Sequence, residues 1–316
     1  MKKAVLIPII IGSALLVTCG TLFVVGLVTS RAMSKPVEKT VKFEQEFKDF
    51  NIDISTSSLE FKFTEGDAKV ELKETEKVFH DVTIKDGVLS IKQTDDLPWY
   101  NKIFGFSSTN EMSVTIYLPL HEYDDLVINT STGSTKIPND FSFNSLKLDK
   151  STGSAEIKSN VVGATYIESS TGSTKLSDLS TKELTVKAST GSVALENVKV
   201  EEKIFVKTST GSQKLKNVSG KELELSASTG SVKLENTLIA SNVIIGTSTG
   251  SIDFENCDCE TAKISASTGH VKGTFLTSKI VYAESDTGSI SVPHSKEGGV
   301  LEIKTSTGSI NIKIKE

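Results

Sequence analysis

The sequence predicts an all-β protein: a single-chain β-solenoid (β-helix) of about ten regular 19–20-residue coils, with irregular coils before them and one transmembrane helix in front. Three observations carry this. The tetrapeptide Ser-Thr-Gly-Ser, or a close variant, recurs ten times, with its glycine at Gly133, Gly153, Gly172, Gly191, Gly211, Gly230, Gly250, Gly269, Gly288 and Gly308. The spacing is 19 or 20 residues throughout, a fixed period of the kind that marks repeat architectures, whose units are stabilised by their neighbours. Apolar and polar residues alternate on either side of each glycine, as in strands with one buried face.

The first element is the hydrophobic run. Lys2 and Lys3 precede an uncharged stretch from Ala4 to Ser30, rich in Leu, Ile and Val, and Arg31 closes it. A bilayer core needs about 20 apolar residues, so residues 1–30 are long enough for an anchor. The leading lysines favour a cytoplasmic N-terminus, with Arg31 and Lys35 voting the other way. The expected location is therefore the cell membrane, single-pass, with the rest of the chain outside the cytoplasm. A cleaved signal peptide would have a shorter apolar region. A lipoprotein signal would place small residues before its cysteine, and Leu16-Val17-Thr18-Cys19 fits that poorly. Residues 31–40 read as a linker.

Residues 41–125 alternate without the turn motif, as in Phe50, Ile52 and Ile54, then Val82, Ile84, Leu89 and Ile91. They read as irregular coils capping one end of the rod, with Ser55-Thr56-Ser57-Ser58 a decayed copy of the turn. An insertion at 95–110 interrupts them and crowds Trp99, Tyr100, Phe104 and Phe106 together. Aromatic residues are favoured in interface cores, so these four are the candidate partner-binding residues; the competing reading is that they plug the solenoid's end.

Residues 126–316 are the regular repeat. Five before the glycine stand Ile167, Val186, Val206 and Leu225, and four after it Leu176, Leu195, Leu215 and Leu234. Thr-Gly at the centre suits a type II turn, in which glycine supplies the positive φ. That favours a corner between strands of one coil over a hairpin, which prefers types I′ and II′. Coils about 4.8 Å apart would make a rod roughly 45 Å long. A second corner is expected six residues on, at Asn197, Asn217, Asn236 and Asn256, because Asn tolerates the left-handed region. Ile310 to Glu316 shows no cap, and Lys313 and Lys315 suit an edge strand that must avoid stray pairing.

These features together resemble a known family. A hydrophobic N-terminal segment, an irregular β region ending in Thr115-Ile116-Tyr117-Leu118-Pro119, and many strand–glycine–strand repeats are similar to the putative-adhesin β-strand-repeat domain of LiaG-like bacterial cell-envelope proteins. The resemblance covers nearly the whole chain. It implies an extracytoplasmic β-rod of unknown function and brings no catalytic residues.

Composition narrows the function. The chain is 37% hydrophobic and 24% charged, as expected of a folded protein. Its net charge of −5 and lack of a dominant basic patch argue against nucleic acid. Aromatic residues make up 6%, too few for a typical deep ligand pocket. His80, His121, His270 and His294 are scattered and expected on the surface, and no repeat serine has a base at fixed spacing to activate it. Cys257 and Cys259 point to one face of a strand and read as small core residues; the competing redox or metal pair lacks further ligands at sensible spacing. No cofactor, metal or catalytic residue is expected. Serine is expected to cap the corner and threonine to hydrogen-bond its counterparts in adjacent coils; the alternative is that this ladder matches a regular lattice, ice or polymeric glycan. The expected function is a non-enzymatic, membrane-anchored interaction or structural module, adhesin-like or associated with envelope stress, whose partner is an envelope protein or glycan. The alternative from another class is a carbohydrate-binding or carbohydrate-active β-helix protein.

Overall fold

The computed structural model describes residues 36–96 and 112–315. Within them, 29 strands and no helix build two long sheets, of 15 and 14 strands, that face each other across one core. The expected helix over residues 1–30 lies outside the described residues, and none of the described residues forms a helix long and apolar enough to cross a membrane. The four insertion aromatics also lie outside them. Of the residues expected as linker, 36–40 belong to strand Pro36–Lys42.

The coil around Gly211 shows how sequence becomes structure. Strand Lys203–Thr210 belongs to one sheet, the chain turns at Gly211, and strand Gln213–Gly220 joins the other sheet. Inward residues alternate: Ile204, Val206, Leu215 and Val218 are all buried. Neighbouring coils stack in parallel register, so Val206 lies between Val186 and Leu225, and Leu215 between Leu195 and Leu234. Truncating one such leucine to alanine would cost about 2–5 kcal/mol. Asn217 bends the second strand in the left-handed region, with φ of 53°, as do Asp178, Asn197, Asn236 and Asn256. Their side chains form a ladder: Asn217 Nδ2 donates to Asn197 Oδ1 and Asn197 Nδ2 to Asp178 Oδ1, both at 2.8 Å. A third bend at Lys221 returns the chain to the first sheet.

At the N-terminal end the strands are β1 (Pro36–Lys42), β2 (Asp49–Ile54), β3 (Ser58–Phe63), β4 (Lys69–Thr75), β5 (Val78–Lys85), β6 (Val88–Asp95) and β7 (Ser113–Leu118). β2 and β3 form a coil directly below that of Gly133, with Ser57 under the glycine. β6 and β7 form another coil below it. The rest is not coil-like. β4 and β5 run backwards, antiparallel to β7 and β6, and β1 pairs antiparallel with β4. Asp86-Gly87 joins β5 to β6 with φ of 52° and 79°, the type I′ hairpin turn. Alternation alone does not distinguish a reversed strand from a forward one.

The other end departs from chain order. Strand Gly299–Thr307 lies between Thr261–Thr268 and Lys279–Thr287, and Ile310–Ile314 lies between Val271–Phe275 and Ile290–Ser291. The Gly308 coil is therefore inserted beneath the Gly288 coil. This corrects the expectation that Ile310 to Glu316 is the edge: the outermost strand is Lys279–Thr287, where Tyr282 is largely exposed.

Candidate functional surface

The feature that repeats most is the glycine corner. All ten glycines have φ between 112° and 154°, well beyond the roughly +80° of a type II turn. The turn type inferred from Thr-Gly is therefore wrong, and a stronger constraint replaces it. A Cβ added at any of nine of these glycines would stand 1.9–2.2 Å from the carbonyl oxygen of the glycine in the adjacent coil, and at Gly133 it would stand 2.5 Å from that of Ser57. The α-hydrogen in that direction makes a Cα–H···O=C contact, repeated along the rod. Eight of the ten glycine N–H groups, all but those of Gly133 and Gly288, donate to the threonine carbonyl of the adjacent coil, as Gly211 does to Thr229 at 2.8 Å. Inside the corner, Thr208 and Thr247 donate to the carbonyls of Gly211 and Gly250, both at 3.1 Å.

The threonine before each glycine faces solvent. Thr132, Thr152, Thr171, Thr190, Thr210, Thr229, Thr249, Thr268, Thr307 and Thr287 pair coil to coil in one unbroken file. The expected hydroxyl-to-hydroxyl bonding between them is absent. The side-chain bonds at this corner involve the serines after the glycine, such as Ser134 to Ser58 at 3.3 Å and Ser289 to Ser309 at 3.2 Å. Backbone bonds hold the corner, and the threonine hydroxyls are left for solvent or a ligand.

The glycine-cornered coil also fixes the relationship. The chain belongs to the Toastrack DUF4097 family. The family model matches residues 47–255 and 223–316. No curated protein matches the chain. Among solved structures, this Toastrack chain is similar to a putative lipid binding protein from Parabacteroides distasonis ATCC 8503, with 12% identity, a TM-score of 0.48, and coverage of 89% of this chain and 97% of that one. It is also similar to a putative adhesin from Parabacteroides merdae ATCC 43184, with 15% identity, a TM-score of 0.45, and 89% and 97% coverage. A putative adhesin from Bacteroides fragilis NCTC 9343 follows, with 14% identity, a TM-score of 0.41, and 89% and 98% coverage.

The remaining chemistry is mostly buried. The largest surprise is a line of side chains at the first corner. Ser57 Oγ is 2.9 Å from His80 Nε2, and His80 Nδ1 is 3.1 Å from Glu74 Oε2. The order serine–imidazole–carboxylate is that of a hydrolase triad. However, Ser57 is 0% exposed and His80 1%, so no substrate carbonyl reaches the hydroxyl. His80 is thus not the surface residue expected, because β5 turns it inward; His121, His270 and His294 are exposed. Burial pushes the His80 pKa below its ordinary value, and the Glu74 carboxylate opposes that shift without cancelling it. Sequence reading missed this cluster because its members come from three separate segments, with no shared motif.

Cys257 and Cys259 are buried core thiols, pushed up by burial to about 11 and about 12. No cluster of metal-binding type occurs among the described residues. Lys279, 2% exposed, reaches across Gly299 to Asp258 Oδ1 at 2.5 Å and to Thr277 Oγ1 at 2.6 Å, tying the outermost coil to the body. A groove of about 710 Å³ beside it is lined by Leu238, Ile239, Asp258, Cys259 and Gly299. Lys150 lies inside the corner, where its ammonium donates to the carbonyls of Gly133, at 2.7 Å, and Ser154, and burial pushes it down to about 8.

Proposed function

We propose that the chain is a non-enzymatic, adhesin-like interaction module, anchored in the membrane by residues 4–30, with the solenoid outside the cytoplasm. Its contact surface is the corner file, and its partner is a glycan of repeated sugar units at the cell envelope. The observation that carries this is the file of ten exposed threonines in register, with unpartnered hydroxyls, on a frame held by backbone bonds. Such a file offers hydroxyls at the strand spacing of about 4.8 Å, and a polymer of regular period can meet many of them at once.

The test uses the full chain and purified cell-wall glycan. Replacing Thr190, Thr210 and Thr229 with Val should abolish co-sedimentation while leaving the circular dichroism spectrum intact. Unchanged co-sedimentation would remove the hydroxyl file as the contact. Protease shaving of intact protoplasts should digest the solenoid; full protection would overturn the topology. A second contact surface is favoured at Trp99, Tyr100, Phe104 and Phe106, because their segment connects β6 to β7, a connection made in the regular coils by the short glycine corner.

A further inference from the structure

The cluster at the first corner poses a proton-counting problem. Gln93 Oε1 accepts the backbone N–H groups of Ser55 and Thr56, each at 3.0 Å, and Gln93 Nε2 donates to Thr56 Oγ1 at 2.9 Å. These three bonds fix which end of the amide is oxygen. Ser57 Oγ lies 3.1 Å from that oxygen, so its single hydrogen belongs to Gln93. Turned instead toward His80, that hydrogen would leave two acceptor oxygens facing each other with nothing between them. Ser57 therefore accepts from His80 Nε2, which must carry a proton. On the other side of the ring, Nδ1 faces Glu74 Oε2, which also accepts the His80 backbone N–H at 2.9 Å. Facing Glu74 as a carboxylate, Nδ1 must then carry a proton as well. Opposite an ionised Glu74, the doubly protonated form of the imidazole is the one that satisfies every contact.

We infer that His80 is held as an imidazolium at neutral pH, and that its two N–H bonds clasp the reversed strands β4 and β5 onto the first forward coil. The residues involved span the end of the rod: Glu74 from β4, His80 from β5, Gln93 from β6 and Ser57 from the β2–β3 corner. The charged groups acting on the ring are Glu74, Lys39 from β1, which opposes the proton, and Asp81 on its own strand, which favours it. Loss of the proton breaks one of the two bonds and leaves a lone pair against an acceptor. The reversed end coil, where β1 joins the rod, is then loosened at alkaline pH while the glycine-stacked coils keep their backbone bonds.

Two opposed outcomes make this testable, because burial, the largest influence on the ring, favours the neutral form while the bonding pattern calls for the charged one. If the clasp holds the proton, the folded chain releases it above the ordinary histidine value of about 6.5, so stability is full below that value and is lost as pH rises through the folded titration. If burial prevails, the ring is neutral in the fold and stability rises with pH instead. Hydrogen exchange at the imidazole C2 position, followed by mass spectrometry, titrates each histidine of the full chain separately, with exposed His121, His270 and His294 as internal references. The expected result is that His80 titrates at least one pH unit above those three, and that Glu74→Gln brings it below them. A second readout is backbone exchange of residues 69–85, corrected for intrinsic rates. Its protection should fall at least tenfold across the His80 titration in the wild type, and His80→Gln should remove that dependence. A wild-type His80 titrating with or below the exposed three overturns the proposal, whether or not the variants fold.

Discussion

Gly211→Ala tests the glycine stack, with Gly87→Ala as its control. Both glycines have positive φ, 144° and 79°. At Gly87 a Cβ would meet nothing within 4 Å, so alanine there bears only the left-handed penalty of about 1–2 kcal/mol. At Gly211 a Cβ would stand 2.0 Å from the Gly191 carbonyl oxygen and must retreat by about 1 Å to leave the range that real contacts never show. The same joint is closed by Gly191 N–H to Thr210 at 2.8 Å and Val193 N–H to Ser212 at 3.0 Å. Opening it by that amount takes both beyond hydrogen-bond reach, at about 1 kcal/mol each or more if the groups stay buried. With backbone strain of about 1–3 kcal/mol, the total is roughly 3–6 kcal/mol. Urea denaturation followed by circular dichroism measures the difference, and hydrogen exchange shows whether the loss centres on the coils flanking Gly211. Equal losses at Gly87 and Gly211 would refute the argument, because conformation alone would then account for both.

Four further outcomes are expected. Lys150, held at about 8 in the fold against 10.5 when free, binds fewer protons folded than unfolded between those values, so stability should rise with pH across that window, by roughly 3 kcal/mol in the limit; Lys150→Met should flatten the rise in urea midpoints measured from pH 7.5 to 10.5. Asn217→Gly keeps the left-handed bend but removes a rung of the amide ladder, whereas Asn217→Ala loses both, so alanine should lower the melting temperature more, by about 1–2 kcal/mol of stability. Lys279→Met removes the buried ammonium of a partly buried ion pair and should release the outermost coil, seen as lost exchange protection in residues 279–291 ahead of the rest. Cys257 and Cys259, with thiols pushed far above neutrality, should resist alkylation in the native chain and react only after unfolding, as intact mass would show.

Much of the rod was legible because its period is written in residues whose roles are local. Val186, Val206 and Leu225 alternate inward wherever their coil sits, and an asparagine at a left-handed bend needs only its own backbone. The corner's real constraint was hidden: Thr-Gly suggested a turn type, while the glycine is required by the carbonyl of another coil, 19 or 20 residues away. The order of the last two coils was hidden for a related reason. Gly269, Gly288 and Gly308 keep the same spacing whichever coil sits outermost, because every coil offers the same ladder to its neighbour. Lys279 and Gly299 break the local pattern there, and they were the available clue. The Ser57–His80–Glu74 line was out of reach, since it depends on two strands running backwards.

The inserted coil makes residues 299–314 a keystone. As the chain grows, coils can be added one upon the next as far as the Gly269 coil, each finding its partner already in place. In the finished rod the ladder of the Gly269 coil is taken by the Gly308 coil, and the segment around Gly288 stacks on that coil instead. Its strand Lys279–Thr287, tethered by Lys279 to Asp258, rests on Gly299–Thr307, which together with Ile310–Ile314 bonds on both sides. The outermost coil therefore depends on the last one in the chain, and a truncation before Gly299 would unseat two layers of the rod.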